Sequence, residues 1–318
     1  MKIVSCFSYL EEIKPLAQAG ADELYCAVAT LPHFGKPAAL TGIGPLKTAV
    51  RAAHGLGMKL SLAVNGIAPE FTLKQEAGLL KRLAAADASG VDAFITASPS
   101  MFSLLSKLKP QLRAKLHLSS VQPCFNSLTA GFFIKLGVSR LILPNQLAPF
   151  EAREIIKLCR ARKVETEIFD YRFFGCAYLN GRCHLHFPDH YTPNIAIRDG
   201  SMCRLNVKAE KLPALSCIET DPAWKPRLGP VMKRLSVRLG CGGAPRMANA
   251  ASFFDFFSAG VNYLKYGTRQ DASEIKIKKV RELRAMLDLV EKFSTTLPHK
   301  DARACFIEKM TGWDGNKF

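Results

Sequence analysis

A repeated rhythm constrains the fold of this chain more than any single residue does. Through its first half, a short apolar run is followed, time after time, by an amphipathic stretch of roughly 10–15 residues. The apolar runs are Ile3–Cys6, Glu23–Val28, Leu60–Val64, Ala93–Thr96, Leu116–Ser119, Leu141–Pro144 and Thr166–Phe169. Helical patterns lie between them, as at Pro45–Gly55, Thr72–Ala86, Asn126–Leu136 and Pro149–Arg160. Continuous apolar strands alternating with helices imply a parallel sheet covered on both faces. Glycines at Gly20, Gly57, Gly90 and Gly137 sit between a helix and the next strand, where a left-handed residue ends a helix. The pattern returns at Ala259-Gly260-Val261, followed by the run Asn262–Tyr266. Seven early strands and one late strand predict a TIM-type (β/α)8 barrel, with a doubly wound open sheet as the competing architecture.

The rhythm stops between Tyr171 and Pro245. That region holds Cys176, Cys183, Cys203, Cys217 and Cys241, three histidines and a scatter of prolines. Within it, Lys233–Leu239 alternates apolar and polar residues, as an extra strand does. A long irregular excursion is costly to order, and such loops usually carry function. In a barrel it leaves from the C-terminal ends of the strands, where active sites collect. The expected organisation is therefore residues 1–170 as seven strands with their helices, 171–245 as a Cys-rich insertion, 246–295 as barrel closure and 296–318 as a surface-docked tail.

Charge and cysteine usage narrow the chemistry. The chain has 44 Lys and Arg against 27 Asp and Glu, a formal net charge of +17. That balance favours polyanionic partners, RNA among them, although it also fits a generally basic surface. The N-terminus lacks the long apolar core of a secretory signal, and no run reaches the roughly 18 apolar residues of a membrane span. The expected location is the cytoplasm. In a reducing compartment clustered thiols point to metal or catalysis before disulfides. Phosphate-loop, zinc-protease and serine-hydrolase motifs are absent from the sequence.

The cysteine spacing is distinctive. Cys176 and Cys183 form Cys-x6-Cys with Gly181-Arg182 before the second, and Gly200-Ser-Met-Cys203 follows. This signature resembles that of the collagenase-like peptidase U32 family. Ala19–Tyr25, Leu116–Gln122 with Asn126, Gly137–Pro144 and Ala259–Arg269 are similar to further segments of that family. The resemblance covers about residues 1–290. It implies a TIM-type barrel with a [4Fe–4S] cluster on four Cys. It also implies oxygen-independent hydroxylation of an RNA base, with prephenate as an oxygen donor in some members. Hydroxylation of a ubiquinone precursor with a homologous partner subunit, a collagenase-like peptidase, and a non-catalytic RNA-binding protein with a structural cluster are the alternatives. The chain departs from the pattern in three ways. Val207 stands where many members place a fourth Cys. The stretch usually reading Lys-Ile-Glu-Gly-Arg lacks its Glu, leaving Lys265, Tyr266 and Arg269. The sequence also stops before the C-terminal β-domain of longer members.

Three cluster ligands are then Cys176, Cys183 and Cys203. The fourth is Cys241, in a glycine-flanked turn that lets backbone approach a bulky cluster, with Cys217 as the alternative. A three-Cys cubane with an open iron, and a zinc site on the same thiolates, also fit such a donor set. Cys6, Cys26, Cys124, Cys159 and Cys305 lie in or beside strand and helix patterns and read as small buried residues. His184, with His186 and His190, is a candidate for proton relay, phosphate binding or ligation. Asp170, Tyr171 and Arg172 end the seventh strand. His117 reads as a hydrogen-bonded core residue. Arg182, Lys265 and Arg269 are the candidate cations for an anionic substrate or small anionic co-substrate, because guanidinium forks match carboxylate and phosphate.

Overall fold

At three turns into strands, a Gly-x-Asp or Gly-x-Asn triplet does two jobs at once. In Ala19-Gly20-Ala21-Asp22, Gly20 adopts φ +102°, ending a helix in a conformation that a side chain would strain. A Cβ there would also meet the Arg284 side chain at 3.0–3.2 Å. The Asp22 carboxylate then accepts the Ile3 backbone N–H of the neighbouring strand at 2.7 Å. Asp92 does the same for Leu60 N at 2.8 Å, and Asn262 for Thr166 N at 2.8 Å. Each acceptor thus satisfies a strand-end donor that a short turn leaves exposed. The turn into Glu165 has no glycine, and Lys163 takes the positive φ of +55° instead.

The computed structural model describes residues 1–34, 40–66, 73–145, 147–170, 249–269 and 271–315. Its strands are β1 (Lys2–Cys6), β2 (Glu23–Ala27), β3 (Lys59–Ala63), β4 (Ala93–Thr96), β5 (Lys115–Leu118), β6 (Val138–Ile142), β7 (Glu165–Phe169) and β8 (Tyr263–Tyr266). All pair in parallel in chain order, and β8 pairs back onto β1, closing the barrel. The open-sheet alternative is therefore excluded. Helices α1 (Ile13–Gln18), α2 (Ile43–Gly55), α3 (Leu73–Ala88), α4 (Pro99–Ser106), α5 (Ser127–Lys135) and α6 (Pro149–Ala161) follow the first six strands in turn. Then come α7 (Ala250–Ser258), before β8, and α8 (Ser273–Thr296) and α9 (His299–Gly315), after it. The expected insertion 171–245 lies outside the described residues.

Local chemistry explains the helix starts. Asn126 accepts from Thr129 N at 2.9 Å. Asn249 and Ser252 cap each other reciprocally at 2.9 and 2.7 Å. Pro99 and Pro149 occupy the first helical turn, where a missing N–H costs nothing. The tail is more than a docked extension: α9 is a regular helix. Ala302, Phe306 and Met310 recur at a spacing of four and are fully buried. Phe306 packs its ring 5.7 Å from Phe253 and 5.9 Å from Phe254 of α7. Arg303 forks onto Asp255 at 2.7 and 3.0 Å, fixing the same two helices.

The capping acceptors make a direct prediction. Asn262→Ala leaves Thr166 N without its side-chain partner and is expected to cost about 1 kcal/mol in urea denaturation. Asn262→Asp keeps the acceptor that Asp22 and Asp92 supply elsewhere and should stay close to wild type. Equal losses for the two variants would refute this account of the turn.

Candidate active site at the C-terminal end of the barrel

Side chains alternate across a strand, so the register shows which positions share the barrel interior. Tyr25 lies opposite Ser61, Ile95 opposite His117, His117 opposite Arg140, Arg140 opposite Glu165, and Phe169 opposite Lys265. A barrel interior is ordinarily filled by branched apolar residues. This one is organised by charge. Arg140, only 2% exposed, is its centre. The guanidinium meets Glu23 in a bidentate pair at 3.0 and 2.9 Å, Glu167 at 3.0 Å and Glu165 at 3.0 Å. Ser61 adds a hydrogen bond to Glu23 at 2.9 Å, and the Tyr263 ring lies 3.5 Å from the guanidinium carbon. Burial works against the Arg140 charge, but Glu167 and Glu23 outweigh it, so the group is held more firmly protonated than free arginine.

Glu167 links this centre to Lys265. The Lys265 ammonium donates to Glu167 Oε1 at 2.8 Å and sits 3.9 Å from the centroid of the Tyr25 ring. Burial alone would raise the Glu167 pKa; Lys265 and Arg140 reverse that and hold it below its ordinary value. His117 goes the other way. Burial, then Arg140 and Lys265, push its pKa well below 6.5, so its ring is neutral. Its Nδ1 has no hydrogen-bond partner among the described residues, contrary to the expectation of a satisfied core histidine.

The C-terminal ends of the strands carry the next layer. Tyr25 OH donates to the Gly267 carbonyl at 2.9 Å, tying β2 to the loop after β8. Asn65, beyond β3, donates to Ser119 Oγ, beyond β5, at 3.0 Å and accepts from Phe34 N at 3.1 Å. Arg269 Nη2 donates to the Phe34 carbonyl. Asp170 is buried at the end of β7, and its N–H donates to the Lys265 carbonyl at 3.0 Å.

Of the sequence candidates, Lys265 and Arg269 are thus brought to one end of one barrel. Lys265 is buried and already paired with Glu167. Cys176, Cys183, Cys203, Cys217, Cys241, Arg182, His184, His186, His190, Tyr171 and Arg172 lie outside the described residues. Cys6, Cys26, Cys124 and Cys159 are buried, as expected, and burial pushes each thiol up to about 12. A thiol so protonated is a poor nucleophile and a poor metal ligand. Cys305 departs from the expectation, being half-exposed on α9. Among the described residues no group of three or more His, Cys, Asp or Glu is placed to hold a metal ion. No helix among them is long and apolar enough to cross a membrane. Sequence reasoning misses Glu23, Arg140 and Glu167. The available signal is a charge at the edge of the apolar runs starting at Glu23 and Leu141 and another inside the run Thr166–Phe169, which a sheet covered on both faces can bury only in pairs.

A family model for peptidase family U32 matches residues 8–204, from the loop after β1 to just beyond Cys203. The chain belongs to peptidase family U32. The tRNA hydroxylation protein P of Helicobacter pylori strain J99 is 29% identical over 183 residues, covering 58% of this U32 chain and 42% of that protein. The protein of the same name from Escherichia coli strain K12 is 31% identical over 140 residues, 44% of this chain and 29% of that one. The chain thus spans less than half the length of these curated relatives. Among solved structures, the U32 peptidase Mk0906 is 14% identical with a TM-score of 0.42, over 53% of this chain and 68% of that one.

Two predictions test the interior. Glu167→Gln leaves the buried Lys265 ammonium without its carboxylate, while Arg140 keeps Glu23 and Glu165, and is expected to cost about 3–5 kcal/mol in chemical denaturation. A loss below 1 kcal/mol, roughly the size of a surface pair, would contradict the network. The second concerns pH. The unfolded chain protonates His117 near pH 6.5, whereas the folded chain does not, so the unfolded state gains protons first and stability falls as pH drops below about 6.5. His117→Gln should flatten the melting temperature between pH 6.5 and about 5, the range above carboxylate titration. An unchanged slope would remove the buried neutral imidazole from the account.

Proposed function

We propose that this U32 protein hydroxylates a base in tRNA, by an oxygen-independent reaction supported by an iron–sulfur cluster. The observation that carries the reading is the similarity to curated proteins named tRNA hydroxylation protein P. Two physical features support it. A net charge of +17 favours association with a polyanion. A closed parallel barrel presents its reactive end at the C-terminal edge of its strands, where Arg269 and the end of β7 lie.

The cluster is proposed on Cys176, Cys183 and Cys203, with Cys241 as the fourth ligand and Cys217 as the alternative. The chemistry of the donor set fits: thiolates are the ligands an iron–sulfur centre takes, and the buried thiols of the barrel, pushed up to about 12, are unsuited to compete for it. Bound there, a cluster supplies one-electron chemistry or an open iron for substrate. The polypeptide's part is to hold the anionic reactants, and Arg269 is the barrel's candidate cation for that. Prephenate, the donor that the family resemblance implies for some members, is the candidate oxygen donor, and the cytoplasmic tRNA pool the expected substrate. The relatives' names favour RNA over a quinone precursor.

Nucleoside mass spectrometry of tRNA from strains with and without the gene tests the reading. One nucleoside in the wild-type strain should be heavier by an oxygen atom and revert to its parent in the deletion, with quinones unchanged. An altered quinone profile with intact tRNA would replace this substrate assignment. Anaerobically purified protein should be brown and contain iron, and Cys176→Ala, Cys183→Ala and Cys203→Ala should each lose both. A colourless, iron-free protein from a cluster-competent host would end the cofactor assignment.

A further inference from the structure

Among the described residues, Arg140, Lys265 and Lys276 bury their charges against carboxylates. Arg140 meets Glu23 and Glu167, Lys265 meets Glu167, and Lys276 meets Glu12 at 3.0 Å. Arg269 breaks this rule. No carboxylate among the described residues pairs with it. Its Nη2 donates to the Phe34 carbonyl and lies 3.5 Å from His33 Nδ1. Its Nη1 is closed off from solvent and has no hydrogen-bond partner among the described residues. A buried donor without an acceptor costs the full desolvation of that group, and more when the group is charged. Such a group destabilises the fold unless an acceptor arrives.

The surroundings hold this guanidinium in place without using Nη1. Ser8 Oγ donates to the Arg269 carbonyl at 2.8 Å and accepts from Lys276 Nζ at 2.9 Å. Lys276 also donates to both oxygens of Glu12, at 3.0 and 3.1 Å. Glu12 in turn accepts Ser8 N at 2.7 Å and Ser273 Oγ at 2.6 Å. The end of β1, the loop after β8 and the first turn of α8 are thereby locked together at the base of Arg269. Its positive charge reaches Cys6, Tyr25 and Cys26 at the ends of β1 and β2, acting on each in the direction expected of a nearby cation.

We propose that Arg269 is the receptor for an oxyanion, a carboxylate or a phosphate, at the C-terminal end of the barrel beside β1, β2 and β8. A planar fork with one nitrogen anchored to protein and the other unpaired is prepared to take such an oxygen, with a charge-assisted hydrogen bond as the result. The proposal deepens the hydroxylase reading and rests on it only for the source of the oxyanion. That source is either a small carboxylated co-substrate or a phosphate of tRNA.

The test is calorimetric titration of the full-length protein with inorganic phosphate and with malonate, alongside filter binding of unmodified tRNA across a salt series. Wild type should bind at least one small anion, and Arg269→Gln should weaken that binding by about tenfold or more. Arg269→Lys keeps the charge, guards against a folding artefact and should retain part of the affinity. Weaker tRNA binding in Arg269→Gln, with a salt slope lower by about one, assigns the oxyanion to tRNA phosphate. Unchanged tRNA binding assigns it to a free small anion. The proposal is overturned if Arg269→Gln binds the small anions as wild type does. It is equally overturned if wild type binds neither anion and Arg269→Gln leaves tRNA affinity unaltered. Neither probe requires turnover, so an unmodified nucleoside profile would end the hydroxylase reading while leaving this result intact.

Discussion

Arg140 and the three glutamates around it set the terms for the rest of the barrel. Removing a guanidinium and its partners from water carries a desolvation cost that is offset only when every polar atom finds a partner at good geometry. Glu23 comes from β2, Arg140 from β6 and Glu165 and Glu167 from β7, so the pairing forms only when the sheet has closed with these residues facing inward. A slip of one residue in any of these strands would turn a charge into the helix layer and leave its partner buried alone. The network is thus a device that selects one register, and apolar residues of similar volume would not discriminate as sharply.

The same logic reaches the functional end through a short series of contacts. Glu167 divides its oxygens between Arg140 and Lys265. Lys265 rests against the ring of Tyr25, and Tyr25 OH holds the Gly267 carbonyl, two residues before Arg269. A second buried pair, Glu12 with Lys276, secures Arg269 from the other side through Ser8. Among the described residues the barrel's buried charges pair with one another, and the Arg269 fork keeps a nitrogen without a partner. That division separates scaffold cations from a receptor cation, although Lys265 and Arg269 stand only four residues apart in one motif.

Much of this architecture is legible in the sequence. All eight strands fall on the apolar runs that the chain displays, and α2, α3, α5 and α6 on its amphipathic stretches, because both signals are local and periodic. The short helices α1, α4 and α7 escape such a reading. Their residues are mostly apolar, as in Phe253-Phe254 with Phe256-Phe257, so no broad polar face marks the helical period. The helix α9 reads as a tail, since its buried stripe is small, Ala302, Phe306 and Met310, within a charged segment. Sequence nominates Lys265 and Arg269 together as anion binders, and nothing in their spacing distinguishes a paired lysine from an arginine with an unpaired nitrogen.

The amino-acid order alone settles the period of the elements, the glycines that end the turns, the overall positive charge and the cysteine spacing that resembles the family signature. These follow from neighbours along the chain, and they survive without knowledge of the third dimension. Only closure of the sheet decides which face of each strand looks inward, and therefore that Glu23 meets Arg140 across 117 positions of sequence and that Ser8 grips Arg269 across 261. Pairing energies of buried charges depend on distance and desolvation, quantities that exist only once remote segments share one interior.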